Sequence, residues 1–261
     1  MDPNIKQAIL QKLRETENSH GVKIIHAIES GSRGWGFAAK DADYDCRFIY
    51  VHPMNWYLTI QDKQDFIEVE ENEVFDIKGV DVSRALKYIM KPDCSIYEWL
   101  SSNEIYICNE SAVKLLIGLT ADYFNPVPIS WHYLSLARKM ISDIDSASEA
   151  KIKKYFYVLR PIANLNFIAL HAKMPYMEYA QTIAETDIPP EIRRNINELL
   201  NIKLTSTEHY KIPKNQILVN YFKTEIDRFE KSLKHIKHTR NKDYEQIDTV
   251  FRKIIEGAWD A

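Results

Sequence analysis

The sequence has few cysteines, and the few it has are scattered. Cys46, Cys94 and Cys108 are isolated, and no two of them have CxxC spacing. An odd number of separated cysteines is not typical of a disulfide framework or a cysteine-ligated zinc site, and it favours a reducing cytoplasm. The eight histidines include no HxxxH or HxH pair, so no histidine-based zinc site is expected either.

Long apolar runs and a strong net charge are also missing. No stretch approaches about 18 uncharged apolar residues, the length that indicates a transmembrane helix. The N-terminal segment MDPNIKQAILQKLRE lacks the apolar core of a signal peptide. We therefore expect a cytoplasmic protein with no membrane partner. The formal net charge of -3 excludes a globally basic nucleic-acid surface, although a local basic patch remains open.

The hydrophobic pattern divides the chain near residues 120–128. Before this boundary it predicts a helix over 3–19 capped by Asp2 or Asn4, strands over 22–28 and 46–51, and a hairpin over 66–77. After it no convincing strand is found, and helices are predicted over 131–144, 152–171, 191–200 and 216–236. An α/β half is thus expected to precede an all-helical half.

Glycine is scarce except in one place. Four of the seven glycines lie within sixteen residues, from Gly21 to Gly36. Gly31 and Ser32 directly follow the first predicted strand, where backbone N–H groups and a hydroxyl can bind an anion and glycine permits its close approach. This concentration indicates a backbone with special conformational demands.

A pair of aspartates comes just before the second predicted strand. Asp43 and Asp45 are two residues apart in an extended segment, so their side chains point to the same face. Two close carboxylates repel each other unless a cation lies between them, and Mg²⁺ prefers carboxylate and phosphate oxygens. A lone DxD is usually a solvated turn, but the joint pattern G-S-x10-D-x-D-x-R-F between two strands favours a nucleoside triphosphate held by a metal and a Gly-Ser turn.

The segment GSRGWGFAAKDADYDCRFIYV resembles the signature of the DNA polymerase beta nucleotidyltransferase superfamily. Together with DIKGVDVSRALKYIMKPDCSIYEWL, it is similar to the branch described as RNA-repair-pathway DNA-polymerase-beta-like proteins, over roughly residues 20–110 and more vaguely around KKYFYVLRPIANL. The resemblance implies an α+β fold: a nucleotidyltransferase domain over 1–122, with a short mixed sheet and helices, followed by an all-helical domain over 123–261.

The resemblance also implies a third carboxylate on a neighbouring strand. Asp76 matches that position best, whereas Asp81 is more simply the N-cap of the following helix. At Val80 the sequence departs from the branch, which often carries a tryptophan there. The implied reaction moves a nucleoside monophosphate from a triphosphate, ATP among the candidates, to a hydroxyl through two Mg²⁺ or Mn²⁺ ions. Asp43 and Asp45 would hold both ions, and Asp76 would hold the ion nearest the nucleophile and help take the hydroxyl proton.

Four basic residues are further candidates. Arg33 either reaches a phosphate or is an ordinary surface arginine. Arg47 is expected to face away from the two carboxylates and to form a structural ion pair. Lys154 and Arg160, on a helix of the second half, are candidate triphosphate contacts, with a solvated helix face as the alternative.

The segment KSLKHIKHTRNK (231–242) is the densest basic run. Its cations, Lys231, Lys234, Lys237 and Arg240, either follow the backbone of an RNA or DNA end or form a basic helix face without a ligand.

Two rival functions belong to other classes. One is a catalytically idle nucleotidyltransferase fold that only binds nucleotide or a partner, which the intact aspartate pair and Gly-Ser turn argue against. The other is an interaction module or protein-adenylylating member of an operon-encoded pair. The acceptor therefore stays open among an RNA or DNA end, a small molecule and a protein hydroxyl.

Overall fold

The computed structural model describes residues 2–237, 241 and 243–259, which form two compact units. The sheet unit comprises Met1–Gly34, Asp43–Phe124 and Arg240–Ala261, and the helical unit comprises Trp35–Ala42 and Asn125–Thr239. The sequence predicted a single boundary between residues 122 and 123. The structure also changes unit near residue 124, but it assigns the 35–42 segment to the helical unit and the C-terminal helix to the sheet unit.

A five-stranded mixed sheet organises the sheet unit. Its strands are β1 (Lys23–Glu29), β2 (Tyr44–Val51), β3 (Phe66–Glu71), β4 (Phe75–Asp81) and β5 (Ile105–Cys108), in the order β3-β4-β2-β1-β5. Only β2 and β4 are parallel neighbours, and the other pairs are antiparallel. The parallel pair places Asp45 opposite Asp76 in register.

The helices of the sheet unit are α1 (Pro3–His20), α2 (Gly31–Gly34), α3 (Met54–Tyr57), α4 (Val82–Met90), α5 (Cys94–Leu100), α6 (Glu110–Tyr123) and α12 (Tyr244–Trp259). Helix α1 buries Ile9 and Leu13 against Phe48 and Tyr50 of β2. Asp2 caps its N-terminus and Gly21, with φ +62°, ends it, so the predicted first helix is confirmed.

Helix α12 packs against α4, α6 and the strands β1 and β2. Its Trp259 indole donates a hydrogen bond to the His52 carbonyl at 3.0 Å, and Phe251 meets the Tyr57 ring edge-on at 4.9 Å. The amphipathic helix thereby covers apolar surface of the sheet unit.

The helical unit consists of α7 (Pro126–Asp145), α8 (Ile152–His171), α9 (Tyr179–Ala184), α10 (Pro190–Thr205) and α11 (Gln216–Leu233). The expectation that it has no strand was wrong, because Glu149–Lys151 (β6) and Lys211–Pro213 (β7) form a two-stranded antiparallel sheet. Each strand has three residues, too few to show an alternating pattern in the sequence.

An aromatic cluster tethers the 35–42 segment to the helical unit. Phe37 is fully buried; its ring centroid lies 5.1 Å from that of Phe156 of α8 in a tilted contact, and Tyr179 meets it edge-on at 5.8 Å. This contact explains why the segment belongs to the helical unit although its neighbours in sequence belong to the sheet unit. No helix in the described part of the chain combines the length and apolarity needed to cross a membrane.

Candidate functional site

The aspartate pair lies at the start of β2. Asp43 precedes the strand and is exposed, and Asp45 is its second residue and is partly buried. Burial first, and then the negative charge of Asp43, raise the pKa of Asp45 to about 6. The two carboxylates therefore repel each other, as the sequence spacing predicted.

Gly31 is in direct contact with the Asp45 side chain. Its backbone has φ +55°, and a Cβ atom added there would lie 1.7 Å from Asp45 Oδ2. No other residue type fits this position without displacing the carboxylate. The Gly34 N–H closes the turn by donating to the Ser30 carbonyl at 2.9 Å, and Ser32 within it is buried. The structure thus brings the Gly-Ser turn and the aspartate pair together.

Arg33 connects the two parts of the motif. Its Nε donates to the Asp43 carbonyl at 2.9 Å, and its guanidinium lies 3.9 Å from the centre of the Tyr44 ring. These contacts place a positive charge beside the aspartate pair. Its predicted contact with a phosphate stays a prediction.

Asp76 lies opposite Asp45 on the adjacent strand, and Arg47 joins them. Arg47 Nη2 is 2.6 Å from Asp76 Oδ2 and 3.3 Å from Asp45 Oδ1, and Lys78 Nζ is 3.2 Å from Asp76 Oδ1. Burial opposes ionisation, but the hydrogen bond and charge of Arg47 hold the pKa of Asp76 below its ordinary value. The expectation that Arg47 faces away was wrong, because residues two apart on a strand share a face.

Asp81 is a buried helix cap. Its carboxylate accepts the Ser83 N–H at 2.8 Å and the Tyr57 hydroxyl at 2.8 Å. The interpretation of Asp81 as the N-cap of α4 is confirmed. It lies at the opposite end of β4 from the Asp45–Asp76 pair.

The donor chemistry of Asp43, Asp45 and Asp76 fits a hard divalent cation, because all three offer carboxylate oxygens. Burial, and then the negative charge of Asp43, raise the pKa of Asp45, and a bound cation would favour the ionised carboxylate against both effects. Within residues 2–237, 241 and 243–259, no three His, Cys, Asp or Glu side chains already surround one point. This still fits Mg²⁺, which is usually held by one or two carboxylates together with substrate phosphates and water.

Glu29 is a site residue that the sequence reasoning missed. It is the last residue of β1 and is fully buried, although it lies only two residues before Gly31. Its Oε1 accepts the Asp45 N–H at 3.0 Å, and its Oε2 accepts the Tyr106 hydroxyl at 2.5 Å. The available signal was an acidic residue ending an otherwise largely apolar strand, directly before the glycine turn.

Lys154 and Arg160 lie on α8 in the helical unit. Lys154 forms an ion pair with Asp143 at 3.0 Å. Arg160 is buried, with its guanidinium 4.3 Å from the centre of the Trp35 ring, so it does not lie on the solvated helix face considered as the alternative. Their predicted role as phosphate contacts stays a prediction.

The basic run begins on the last turn of α11. Lys231, Lys234 and Lys237 are exposed, and Lys234 forms an ion pair with Glu230 at 3.2 Å. Arg240 lies outside the described residues.

A relative and a family model each match most of the chain. The chain is 34% identical to the YcgL protein of Bacillus subtilis (strain 168) over 255 residues, which cover 98% of each chain. A search of solved structures finds a nucleotidyltransferase-like protein from Exiguobacterium sibiricum 255-15, with a TM-score of 0.34 and 11% identity, covering 94% of this chain and 79% of that one. The family model described as RNA repair pathway DNA polymerase beta family (RlaP) matches residues 5–253. The chain therefore belongs to the RNA repair pathway DNA polymerase beta family.

Proposed function

We propose that the protein is a metal-dependent nucleotidyltransferase that moves a nucleoside monophosphate from a nucleoside triphosphate to a hydroxyl at an RNA end. The observation that carries the proposal is the contact between Gly31 and Asp45, which places the glycine turn directly beside a pair of carboxylates. Membership of the family supports the reaction class, and the family's description supports RNA as the acceptor.

In the proposed reaction, the acceptor hydroxyl oxygen forms a bond to the α-phosphorus of the triphosphate. The bond from that phosphorus to the bridging β-phosphate oxygen breaks, pyrophosphate leaves, and the hydroxyl proton is released to solvent. Bound Mg²⁺ or Mn²⁺, two ions in the proposal, would supply Lewis acidity that lowers the pKa of the hydroxyl and neutralises charge on the triphosphate.

The residues of the site have separate parts in this proposal. Asp43 and Asp45 supply the metal-binding oxygens. Gly31 and Ser32 contact a phosphate through the backbone N–H groups of the turn. Arg33 adds positive charge next to the aspartate pair.

Asp76 is proposed as the third metal ligand. Because Arg47 and Lys78 contact it and its pKa is lowered, its carboxylate stays ionised, which suits a ligand. The same lowered pKa makes Asp76 a weak proton acceptor, so Asp76 is not expected to take the hydroxyl proton.

The test uses the full-length chain, because α12 is part of the sheet unit. The protein is incubated with each of the four α-³²P-labelled ribonucleoside triphosphates, with Mg²⁺ or Mn²⁺, and with RNA, DNA and protein acceptors. We expect label on RNA, dependent on the metal and lost in Asp43→Asn and Asp45→Asn. The matched control is Asp62→Asn, which changes an exposed aspartate of the sheet unit outside the site.

Three outcomes would contradict parts of the proposal. A double Asp43→Asn, Asp45→Asn variant that still labels its acceptor would refute the assignment of the carboxylates. Label found only on protein would replace the RNA acceptor with a protein hydroxyl. Binding of nucleotide without transfer to any acceptor would favour a catalytically idle fold.

A further inference from the structure

Glu29 is an acidic side chain with no exposed surface. A glutamate is almost never fully buried unless its charge is compensated, because transfer of a carboxylate from water into the interior is costly. Here the two carboxylate oxygens accept hydrogen bonds from the Asp45 backbone and the Tyr106 hydroxyl. Such a buried group is retained at a cost in stability, which calls for a role beyond packing.

The contacts of Glu29 converge on the peptide groups of Asp45. The Glu29 carboxylate accepts the Asp45 N–H, and the next residue, Ser30, donates its N–H to the Asp45 carbonyl at 2.8 Å. Both backbone polar groups of Asp45 are therefore held by the two residues that directly precede Gly31. The Asp45 side chain in turn lies against the Gly31 backbone.

Tyr106 and Ser102 hold Glu29 itself. The Tyr106 hydroxyl binds the second carboxylate oxygen, and the Ser102 hydroxyl donates to the Glu29 carbonyl at 3.2 Å. The Glu29 N–H donates to the Glu104 carbonyl at 2.8 Å. The side chain and the backbone of Glu29 are thus fixed from the β5 side of the sheet, so the carboxylate has little freedom to move away from Asp45.

We propose that Glu29 is a positioning residue: it holds the backbone of Asp45 against the Gly31 turn, so that the Asp43–Asp45 carboxylates are preorganised for their metal ion. The metal half of this inference rests on the proposed function. Outer groups that orient metal ligands typically change metal affinity by about 10- to 100-fold when they are removed.

Three variants of the full-length protein test the inference. Glu29→Met removes the acceptor at similar size. Glu29→Gln keeps an oxygen for the Asp45 N–H and an amide that can donate to the Tyr106 hydroxyl oxygen, so it is the conservative rescue. Tyr106→Phe removes the hydroxyl that donates to Glu29 Oε2 and leaves residue 29 itself unchanged. Glu104→Met is the matched control, because it makes the same glutamate-to-methionine change at an exposed side chain near the same edge of the sheet.

The first measurement is native-state hydrogen exchange at the Asp45 amide, which requires neither metal nor activity. We expect faster exchange at this amide in Glu29→Met, with wild-type exchange in Glu29→Gln and Glu104→Met. The second measurement is Mn²⁺ affinity by electron paramagnetic resonance without nucleotide. There we expect a loss of about 10- to 100-fold in Glu29→Met, a loss of about threefold or more in Tyr106→Phe, and near-wild-type binding in Glu29→Gln and Glu104→Met.

The outcomes separate this inference from the proposed function. A folded Glu29→Met protein with wild-type Asp45 exchange and wild-type Mn²⁺ affinity would overturn the positioning role. If Glu29→Met does not fold, unchanged exchange and affinity in Tyr106→Phe would overturn it instead. Wild-type Mn²⁺ binding that is insensitive to Asp45→Asn would refute the proposed metal site, while the exchange result would still decide whether Glu29 positions Asp45.

Discussion

The Gly31 backbone and the Asp45 carboxylate occupy adjoining space, with only 1.7 Å between the position of a Gly31 Cβ and Asp45 Oδ2. We expect Gly31→Ala to abolish nucleotidyl transfer, because the added methyl group must displace the carboxylate. The left-handed backbone at φ +55° adds strain of about 1–3 kcal/mol. Chemical denaturation gives the loss of stability, and label transfer gives the loss of activity.

Gly118→Ala is the matched control for this substitution. Gly118 lies exposed within α6, and a Cβ there meets no atom within 4 Å. Alanine at a mid-helix position is expected to stabilise by about 0.5–1 kcal/mol. Equal activity in Gly31→Ala and Gly118→Ala would show that the contact between the turn and the carboxylate has no functional importance.

Arg47 neutralises the repulsion between Asp45 and Asp76. We expect Arg47→Met to lower the free energy of unfolding by about 1.5–3 kcal/mol, the range for hydrogen bonds to charged groups. Because a bound cation would replace the lost positive charge, Mg²⁺ should raise the melting temperature of this variant more than that of wild type. Thermal unfolding with and without Mg²⁺ measures both effects.

The control for Arg47→Met is Lys78→Met, which removes a more exposed cation from the same Asp76 carboxylate. An exposed ion pair contributes about 0–1 kcal/mol, so the loss should be smaller. The site would lack the proposed charge balance if Arg47→Met were as stable as wild type and responded to Mg²⁺ in the same way.

The sequence predicted the local parts of this site and not the contacts that join distant segments. The Gly31 turn and the Asp81 cap both follow from residues a few positions apart, which turn and capping rules describe. The Arg47–Asp76 pair required the parallel pairing of β2 with β4. The Glu29–Tyr106 contact required β5, a four-residue strand without a clear pattern.

The same distinction applies to the fold. Helix α1 and its caps were predictable because they lie within about twenty consecutive residues, Asp2 to Gly21. The assignment of α12 to the sheet unit and of 35–42 to the helical unit depends on burial of apolar surface between segments far apart in the chain. Hydrophobic pattern shows that such a surface exists and does not show which partner covers it.

A buried ion pair in the helical unit gives a prediction about stability. Lys203 is fully buried, and its Nζ lies 3.1 Å from Glu208 Oε1, while Lys153 contacts the other carboxylate oxygen at 3.1 Å. Glu208→Gln leaves the buried ammonium without its counter-charge, and we expect a loss of about 3–5 kcal/mol. Adding Lys203→Met to this variant should recover part of the loss, and urea denaturation of the four proteins in the cycle measures the coupling. A double variant no more stable than Glu208→Gln would contradict this account.

The same pair predicts a pH dependence with a defined sign. Burial opposes ionisation, but the charge of Lys203 holds the pKa of Glu208 below its ordinary value. The pKa of an unfolded glutamate is about 4.3, so below that pH the unfolded state binds a proton that the folded state does not. The contribution of Glu208 is therefore present above about pH 4.3 and is lost as pH falls further. The free energy of unfolding, measured from pH 7 to pH 3, should fall less steeply below about pH 4.3 in Glu208→Gln than in wild type. The same pH profile in both proteins would contradict a contribution from Glu208.

Three exposed lysines at and just after the C-terminal end of α11 test whether the helical unit contacts nucleic acid. Neutralising Lys231, Lys234 and Lys237 to Gln should weaken retention on single-stranded RNA, since each phosphate contact releases a counterion. Three lost contacts predict a salt-dependence slope that is shallower by about 2, at roughly 0.7 per phosphate.

The control neutralises three exposed lysines of the sheet unit, Lys87, Lys91 and Lys114, and keeps the net charge matched. Equal slopes in the two triple variants would mean that these lysines form a basic helix face without a nucleic-acid ligand. A general effect of net charge would change both slopes equally.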